Sequence, residues 1–369
     1  MAVVISHSFG FLVRLVTVPH IGRFVTLAVD HMQPLGVMGV ELFFVLSGFL
    51  IGNILIKQFV TASDFSFSTI SNFWVRRWFR TLPNYWLILT IDIILYQVMQ
   101  LQNAGFHQIR YYFFLQNVWR PDKAGFFPEG WSLSIEEWFY LTLPVVMYLS
   151  ARVAAPVNKG KFLWSVFVGY LSVFVLIRFF NAFHPINGDG EDEGIRKIVL
   201  FRLDAVMYGV LFAYFNYFKG SILNRYKGRL LTISLCGTVA ILYLITKHDL
   251  AFTSSPNPAV RFVCNAFLYL FIPLFFSLCL PYANSVKKTG SALFSRLVVH
   301  ISKISYSMYL VHYSLVFLPF FYPMKVGRAP GTVVVYYLLY WVIVVGLSSL
   351  LFRYFESPVM KLREKFASK

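Results

Sequence analysis

Apolar residues form long stretches along most of the chain. Nine of these stretches are about 20 residues long, which is the helix length needed to cross a bilayer core about 30 Å thick. They are far too long for strands, and the stretch from Leu230 to Thr246 carries no charge on any helical face, unlike a helix in a soluble core. The pattern predicts an all-α fold, a polytopic transmembrane helix bundle. The stretches are 36–56, 82–101, 131–150, 162–181, 199–218, 230–246, 260–281, 304–323 and 332–352.

The first residues begin as though partway through one more helix. Residues 1–6 are apolar, but polar residues interrupt the stretch before Pro19. Neither the basic start nor the small-residue cleavage site of a secretory signal is evident. We expect a tenth segment, about 1–18, that is short at its cytoplasmic end, and a start upstream of Met1 stays open.

The connections between the apolar stretches predict domain organisation and orientation. None resembles a linker or a second domain, so we expect one transmembrane domain, 1–356, followed by a short basic cytoplasmic tail, 357–369. Most Lys and Arg residues fall in one set of alternate connections, and such connections face the cytoplasm. The predicted bundle therefore has about ten helices and both termini in the cytoplasm.

Composition agrees with a membrane protein and removes other classes. Hydrophobic residues make up 58% of the chain and charged residues 13%, while the net charge is +17. In a soluble protein that charge would suggest nucleic acid binding. Here its concentration on one side of a membrane accounts for it, so no nucleic acid partner is expected. Cys236, Cys264 and Cys279 all lie in apolar stretches, and we expect buried thiols with neither a disulfide framework nor a metal site.

A few ionisable residues lie within the predicted spans, where an ionisable side chain is costly and is a functional candidate by default. Glu41, Glu136 and Asp204 each lie five residues inside a span that enters from the outer side, and Arg202 lies close to that depth. They predict a polar vestibule open to the outer side. The alternative is that Arg202 only neutralises a neighbour while the others reach the interface. The full set is Glu41, Asp92, Glu136, Glu137, Arg202 and Asp204.

Two polar stripes follow helical spacing. Ser132, Glu136 and Tyr140 recur every four residues and share a face that could hold a hydroxyl-rich ligand. The second stripe could hold a ligand or form hydrogen bonds that hold helices together, and we favour the hydrogen bonds between helices. Its members are Ser302, Ser305, Tyr309 and His312.

Two basic features suggest chemistry. Arg76 and Arg80 stand one helical turn apart with Arg77 beside them, and guanidinium groups match phosphate oxygens bidentately. The alternative is ordinary positive-inside topology with lipid headgroup contact.

His7 is a candidate general base or acyl-accepting nucleophile, although a lone membrane histidine is more often only a hydrogen-bonding residue.

Six motifs, in order along nearly the whole chain, resemble those of the acyltransferase-3 family of integral membrane O-acyltransferases. Glu41 stands where that family usually has Asp. Each motif is weak alone, and together they are specific. They are Gly39–Ile51 (GVELFFVLSGFLI), Arg76–Tyr85 (RRWFRTLPNY), Trp131–Tyr140 (WSLSIEEWFY), Phe201–Ala205 (FRLDA), Ser305–His312 (SYSMYLVH) and Tyr354–Pro358 (YFESP).

The resemblance implies a ten-helix enzyme of the cell (inner) membrane. Such an enzyme takes an acyl group, expected to be acetyl, from acyl-CoA and places it on a hydroxyl of an extracytoplasmic carbohydrate such as O-antigen or exopolysaccharide. Acyl-CoA would be the donor substrate, with no permanently bound cofactor or metal. Some members carry an additional hydrolase-like domain, and here we expect any such activity to come from a separate extracytoplasmic partner.

The resemblance also implies roles for individual residues. In the family an Arg precedes an essential His by eleven residues, and His7 is the matching position although the Arg would fall before Met1. His20 and His31 are alternative matches. The implied roles are catalytic for His7, Glu136, Arg202 and Asp204; phosphate-binding for Arg76, Arg77 and Arg80; and substrate-binding for Glu41, Ser132, Tyr140, His312 and Glu356.

Two other functions stay open. A transporter would also use intramembrane charges, but no two halves with corresponding Gly- or Pro-broken segments stand out. An inactive scaffold for envelope assembly becomes a serious alternative if the short first helix is genuine.

Overall fold

A computed structural model confirms the predicted all-helical class. The described residues form helices and their connections, and no strand is found among them. The structure describes residues 1–15, 19–62, 64–101, 106–120, 125–154, 156–183, 192–248, 262–286, 291–323 and 330–366.

Eleven α-helices follow one another along the described chain. Three of them, α8, α9 and α10, are continuous with π-helical turns at Cys264–Leu268, His312–Phe321 and Phe352–Glu356. The helices are α1 (Ala2–Leu15), α2 (Pro19–Thr61), α3 (Phe67–Val98), α4 (Ile109–Tyr112), α5 (Gly130–Ala154), α6 (Lys159–Phe183), α7 (Leu203–His248), α8 (Tyr269–Ser285), α9 (Ala292–Val311), α10 (Pro330–Leu351) and α11 (Ser357–Phe366).

Six helical stretches in the described residues are long and apolar enough to cross a membrane. Two more helices, α3 and α5, have 32 and 25 residues and carry more polar and charged side chains. The count of about ten spans and the orientation of the termini stay predictions. The six stretches are Pro34–Thr61, Lys159–Phe183, Leu203–Thr246, Cys264–Ser285, Ala292–Phe321 and Gly331–Phe366.

The closest helix crossing joins α2 to α7 through small residues. A Cβ added to Gly48 would lie 1.9 Å from the Val206 carbonyl oxygen, and one added to Gly209 would lie 2.1 Å from the Val45 carbonyl oxygen. Small residues let helix backbones approach in this way where lipid provides no hydrophobic drive for association. The crossing fixes the position of α2, which carries several of the candidate site residues.

Three details of the sequence prediction are corrected. Residues 220–229, predicted as most of a connection, are helical. The non-helical backbone of Lys219 (φ −136°, ψ 26°) separates two helical parts of α7 at the start of that predicted connection. Arg178, which was not among the ionisable residues predicted within the spans, lies inside α6 and is fully buried. Cys236 is an exposed free thiol because an apolar stretch does not determine which side of its helix faces the bundle, whereas Cys264 is buried as expected.

Candidate functional site

A cavity of about 350 Å³ lies between α1, α2, α3, α5 and α9. Its polar wall combines hydroxyl groups from four helices with one carboxylate, and two arginines also line it. The apolar wall comes from α1, α2 and α5 and includes Val3, Val40 and Leu133. The polar lining residues are Ser47, Arg77, Arg80, Thr81, Ser132, Glu136, Tyr140, Ser302, Ser305, Tyr306 and Tyr309.

Glu136 is the centre of a hydrogen-bond network on the cavity wall. The Ser47 and Tyr140 hydroxyls both donate to its Oε1 atom, and these two hydroxyl oxygens lie 2.6 Å apart. The Arg77 guanidinium carbon lies 5.4 Å from the centre of the Tyr140 ring. The predicted face of α5, with Ser132, Glu136 and Tyr140, thus lines one cavity. Ser47 joins it from α2, a partner that spacing along α5 alone does not reveal.

The polar stripe of α9 faces the same cavity and ends at a histidine pair. Ser132 Oγ lies 2.7 Å from the Tyr309 hydroxyl, which also donates to the Glu129 carbonyl oxygen at 3.0 Å. One turn beyond Tyr309, His312 Nε2 lies 2.9 Å from His7 Nδ1. The two imidazole rings are stacked, with centroids 5.1 Å apart.

Hydrogen bonding determines the tautomers of these two histidines. His312 Nδ1 lies 2.6 Å from the Tyr309 carbonyl oxygen, which can only accept, so this nitrogen carries the proton. A neutral His312 then accepts at Nε2, and His7 Nδ1 must be the donor of the bond between them. The proton of a neutral His7 is thereby held on Nδ1, which leaves the lone pair on Nε2. His312, predicted as a substrate ligand, contacts His7 in the structure, and its substrate role stays a prediction.

Three of the other predicted membrane charges, Glu41, Arg202 and Asp204, take part in two buried ion pairs. Arg202 pairs with Glu41, and Arg178 pairs with Asp204; all four side chains are fully buried. Arg202 also donates from NH1 to the Tyr269 carbonyl oxygen at 3.1 Å. None of these residues lines the 350 Å³ cavity. In the described structure each of these charges has its opposite partner, which agrees with the neutralising alternative. Their predicted catalytic and substrate roles stay predictions.

Two further carboxylates join helices: Glu356, predicted as a substrate ligand, and Glu129, which no sequence pattern singled out. Glu356 accepts hydrogen bonds from Ser307 Oγ at 2.5 Å and Asn84 Nδ2 at 3.2 Å, so it connects the end of α10 to α3 and α9. Glu129, which precedes α5, accepts from the Ser314 backbone N–H at 2.8 Å. Burial is the main cause that raises the pKa of Glu129 to about 7. No sequence pattern indicated this contact, because Ser314 lies 185 residues away along the chain.

Arginines surround a second cavity, of about 220 Å³, at the end of the bundle where α2 ends and α3 begins. Arg77 and Arg80 line both this cavity and the larger one. The smaller cavity also receives Arg363 from α11, which sequence patterns did not single out because no motif includes it. The lining residues of this arginine cavity are Ile54, Gln58, Phe73, Arg76, Arg77, Arg80 and Arg363.

Two other expectations concern residues or groups outside this site. His20 and His31 lie in the part of α2 whose side chains are not described. Across the described residues, His, Cys, Asp and Glu side chains form no group of three or more suited to a metal ion.

The helices and the polar site inside them define the chain as a multi-pass membrane protein. Sequence comparison makes the assignment more specific, because a family model described as an acyltransferase domain matches residues 1–353. The chain therefore belongs to the acyltransferase-3 family, as its six motifs suggested.

The chain is also similar to curated proteins of Staphylococcus aureus. It is 25% identical over 349 residues to O-acetyltransferase OatA of strain NCTC 8325 / PS 47, and 25% identical over 342 residues to a strain COL protein with a provisional O-acetyltransferase name. Each match covers 88% of this chain and 53% of the relative, so the chain spans about half the length of the curated relatives it matches. No solved structure matches the chain.

Proposed function

We propose that the protein is a membrane O-acyltransferase that moves an acetyl group from acetyl-CoA to a hydroxyl of an extracytoplasmic carbohydrate. One observation carries the proposal: Arg77 and Arg80 line both the arginine cavity and the hydroxyl-lined cavity. A donor with its phosphates among the arginines can therefore extend its acyl arm toward the histidine pair. Membership of the acyltransferase family and the O-acetyltransferase names of the relatives support the same reaction.

His7 is the proposed general base. The proton on His7 Nδ1 is held in the hydrogen bond to His312, so the lone pair on His7 Nε2 can remove the proton of the acceptor hydroxyl. The hydroxyl oxygen then attacks the thioester carbonyl carbon to form a tetrahedral intermediate. When the carbon–sulfur bond breaks, the ester forms, coenzyme A leaves as a thiolate, and the proton on His7 neutralises that thiolate.

The nearby polar groups have complementary proposed roles. Hydroxyl and guanidinium donors along the cavity can stabilise the negative charge that develops on the carbonyl oxygen. The hydroxyl groups of Ser47, Ser132, Tyr140 and Tyr309, with the Glu136 carboxylate, offer both donors and acceptors, which suits a sugar. This is why a carbohydrate is the proposed acceptor class.

The proposed orientation follows from charge. The arginine cavity belongs to the set of connections and ends richest in Lys and Arg, and such regions face the cytoplasm. Acyl-CoA would then enter from the cytoplasm, while the acceptor would reach the site from the outer side of the cell (inner) membrane.

A labelling experiment tests the reaction. Membranes that contain the protein receive acetyl-CoA labelled in the acetyl group, with envelope glycan as acceptor. Alkali-labile label in the glycan, absent from membranes without the protein, is the expected result. Counterflow of an unmodified solute without label transfer would instead support a transporter, and neither activity would support a scaffold.

A further inference from the structure

The helix α11 lies beyond the residues that match the family model, which end at residue 353. It has ten residues and none of them is buried. Arg363 is nevertheless half-buried, while Leu362 and Glu364 on either side are exposed. Its side chain lines the arginine cavity with Arg76, Arg77 and Arg80. One residue of α11 therefore points into a site formed by α2 and α3.

An aromatic contact holds the end of α11 in this position. The Phe366 ring stacks on the Phe79 ring of α3, with centroids 5.3 Å apart. Phe79 lies directly before Arg80, so the stack and the arginine cavity are adjacent on the same helix. The contact keeps Arg363 close to the α3 arginines.

Arginines are the only charged residues among the described lining of the arginine cavity, which four of them share. Its other described lining residues, Ile54, Gln58 and Phe73, are neutral. The ion pairs found in the described part of the chain involve none of these four arginines. Guanidinium groups repel one another at short range, so their convergence is favourable when an anion with several charges lies between them.

The two cavities divide the four arginines into two groups. Arg77 and Arg80 line both cavities, whereas Arg76 and Arg363 line only the arginine cavity and do not reach the hydroxyl-lined cavity. In coenzyme A the diphosphate lies between the acyl arm and the ribose, and the 3′-phosphate lies beyond it on the ribose. The order of phosphates along the donor thus matches the order of the two groups.

We propose that Arg363, together with Arg76, binds the 3′-phosphate of coenzyme A and lets the protein discriminate in favour of donors that carry it. This assignment rests on the proposed function, since it specifies the donor of that reaction. The same phosphate chemistry would also attract an anionic lipid headgroup, and the test separates these two sources.

Binding of small nucleotides tests the assignment without any turnover. The full chain is placed in nanodiscs of phosphatidylcholine, and its affinities for adenosine 3′,5′-bisphosphate and for adenosine 5′-monophosphate are measured by calorimetry. We expect about a tenfold preference for the bisphosphate, the size of one charge-assisted hydrogen bond. Arg363→Gln should abolish that preference, while Lys365→Gln, an exposed charge removed from the same helix, should retain it.

Kinetics provide the second readout. Arg363→Gln should raise the KM for acetyl-CoA about tenfold, leave the KM for 3′-dephospho-acetyl-CoA unchanged, and leave kcat unchanged for both donors. An equal rise for both donors, or a retained bisphosphate preference, would overturn the assignment. The assignment would also fail if the wild-type protein showed no such preference and its binding to phosphatidylglycerol vesicles depended on Arg363. The site would then hold a lipid headgroup.

The proposed acyltransferase reaction and the proposed role of Arg363 would be contradicted by different results. If label transfer from acetyl-CoA occurs but the 3′-phosphate makes no difference, the Arg363 assignment fails and the acyltransferase function stands. If no transfer occurs while the Arg363-dependent bisphosphate preference persists, the phosphate site stands and the proposed reaction fails.

Discussion

Two regions of the bundle contain buried carboxylates and differ in what surrounds them. Between α2, α6, α7 and α8, Glu41 and Asp204 each face a fully buried arginine. Between α2, α3, α5 and α9, Glu136 instead accepts hydrogen bonds from hydroxyls and borders a 350 Å³ cavity. The three carboxylates lie at the same predicted depth, so depth in the membrane does not separate them.

The difference between the two regions shows when a charged residue inside the membrane indicates a functional site and when it indicates a structural contact. A charge beside its counter-charge in a closed interior holds helices in register, and removing either partner leaves an uncompensated buried ion. A carboxylate beside hydroxyls and a cavity can exchange its contacts with a ligand. We therefore call Glu41–Arg202 and Asp204–Arg178 the paired region, and the cavity around Glu136 the open region.

Breaking a pair in the paired region should have the largest effect on stability. Arg178→Gln leaves Asp204 buried without its counter-charge, and we expect the free energy of unfolding to fall by about 3–5 kcal/mol. Thermal or denaturant unfolding in detergent measures this loss.

A surface pair provides the matched control for that experiment. Arg152 and Asp64 lie 3.2 Å apart with side chains 53% and 64% exposed, so Arg152→Gln should cost less than about 1 kcal/mol. Equal losses for Arg178→Gln and Arg152→Gln would contradict the distinction between paired and exposed charges.

In the open region a similar change should affect activity more than stability. Glu136→Gln keeps an oxygen that can accept from Ser47 and Tyr140 but removes the negative charge, and we expect acetyl transfer to fall about 10- to 100-fold because a charged acceptor for the sugar hydroxyls is lost. The unfolding midpoint should stay close to that of the wild type.

Glu364→Gln, an exposed position on α11, is the control and should transfer acetyl groups normally. A Glu136→Gln protein that is strongly destabilised, or one with full activity, would place Glu136 with the structural carboxylates of the paired region.

The smallest expected effect concerns the arginines at the edge of the open region. Arg80→Gln should raise the KM for acetyl-CoA about tenfold with little change in kcat, because it removes one phosphate-facing guanidinium. Initial rates over a range of donor concentrations give both constants.

Arg225→Gln removes an exposed arginine from α7 and is the matched control. If Arg80→Gln left the donor dependence unchanged, the arginine cavity would not be a phosphate site.

Features local to one helix could be predicted from the sequence. The lengths of the apolar stretches predicted the helices, and four-residue spacing placed Ser132, Glu136 and Tyr140 on one face, where they line one cavity. Spacing reports the face of a residue because it depends only on helical geometry.

Features that join distant segments could not be predicted. Arg178 was not among the ionisable residues predicted within the spans, and its partner, Asp204, belongs to another helix. His312 meets His7 across 305 residues. Hydropathy also does not determine the rotation of a helix, so it predicted a buried Cys236 that is in fact exposed. Tertiary packing determines all three.

The central claim is that His7, oriented by His312 next to the open region, removes the acceptor proton. Transfer of labelled acetyl from acetyl-CoA to glycan is measured for the wild type, His7→Ala and His300→Ala, with His300 as an exposed control histidine. We expect His7→Ala to lose at least about 100-fold in kcat, the typical contribution of a general base, while His300→Ala keeps full activity. A folded His7→Ala protein that acetylates glycan at the wild-type rate would contradict the account.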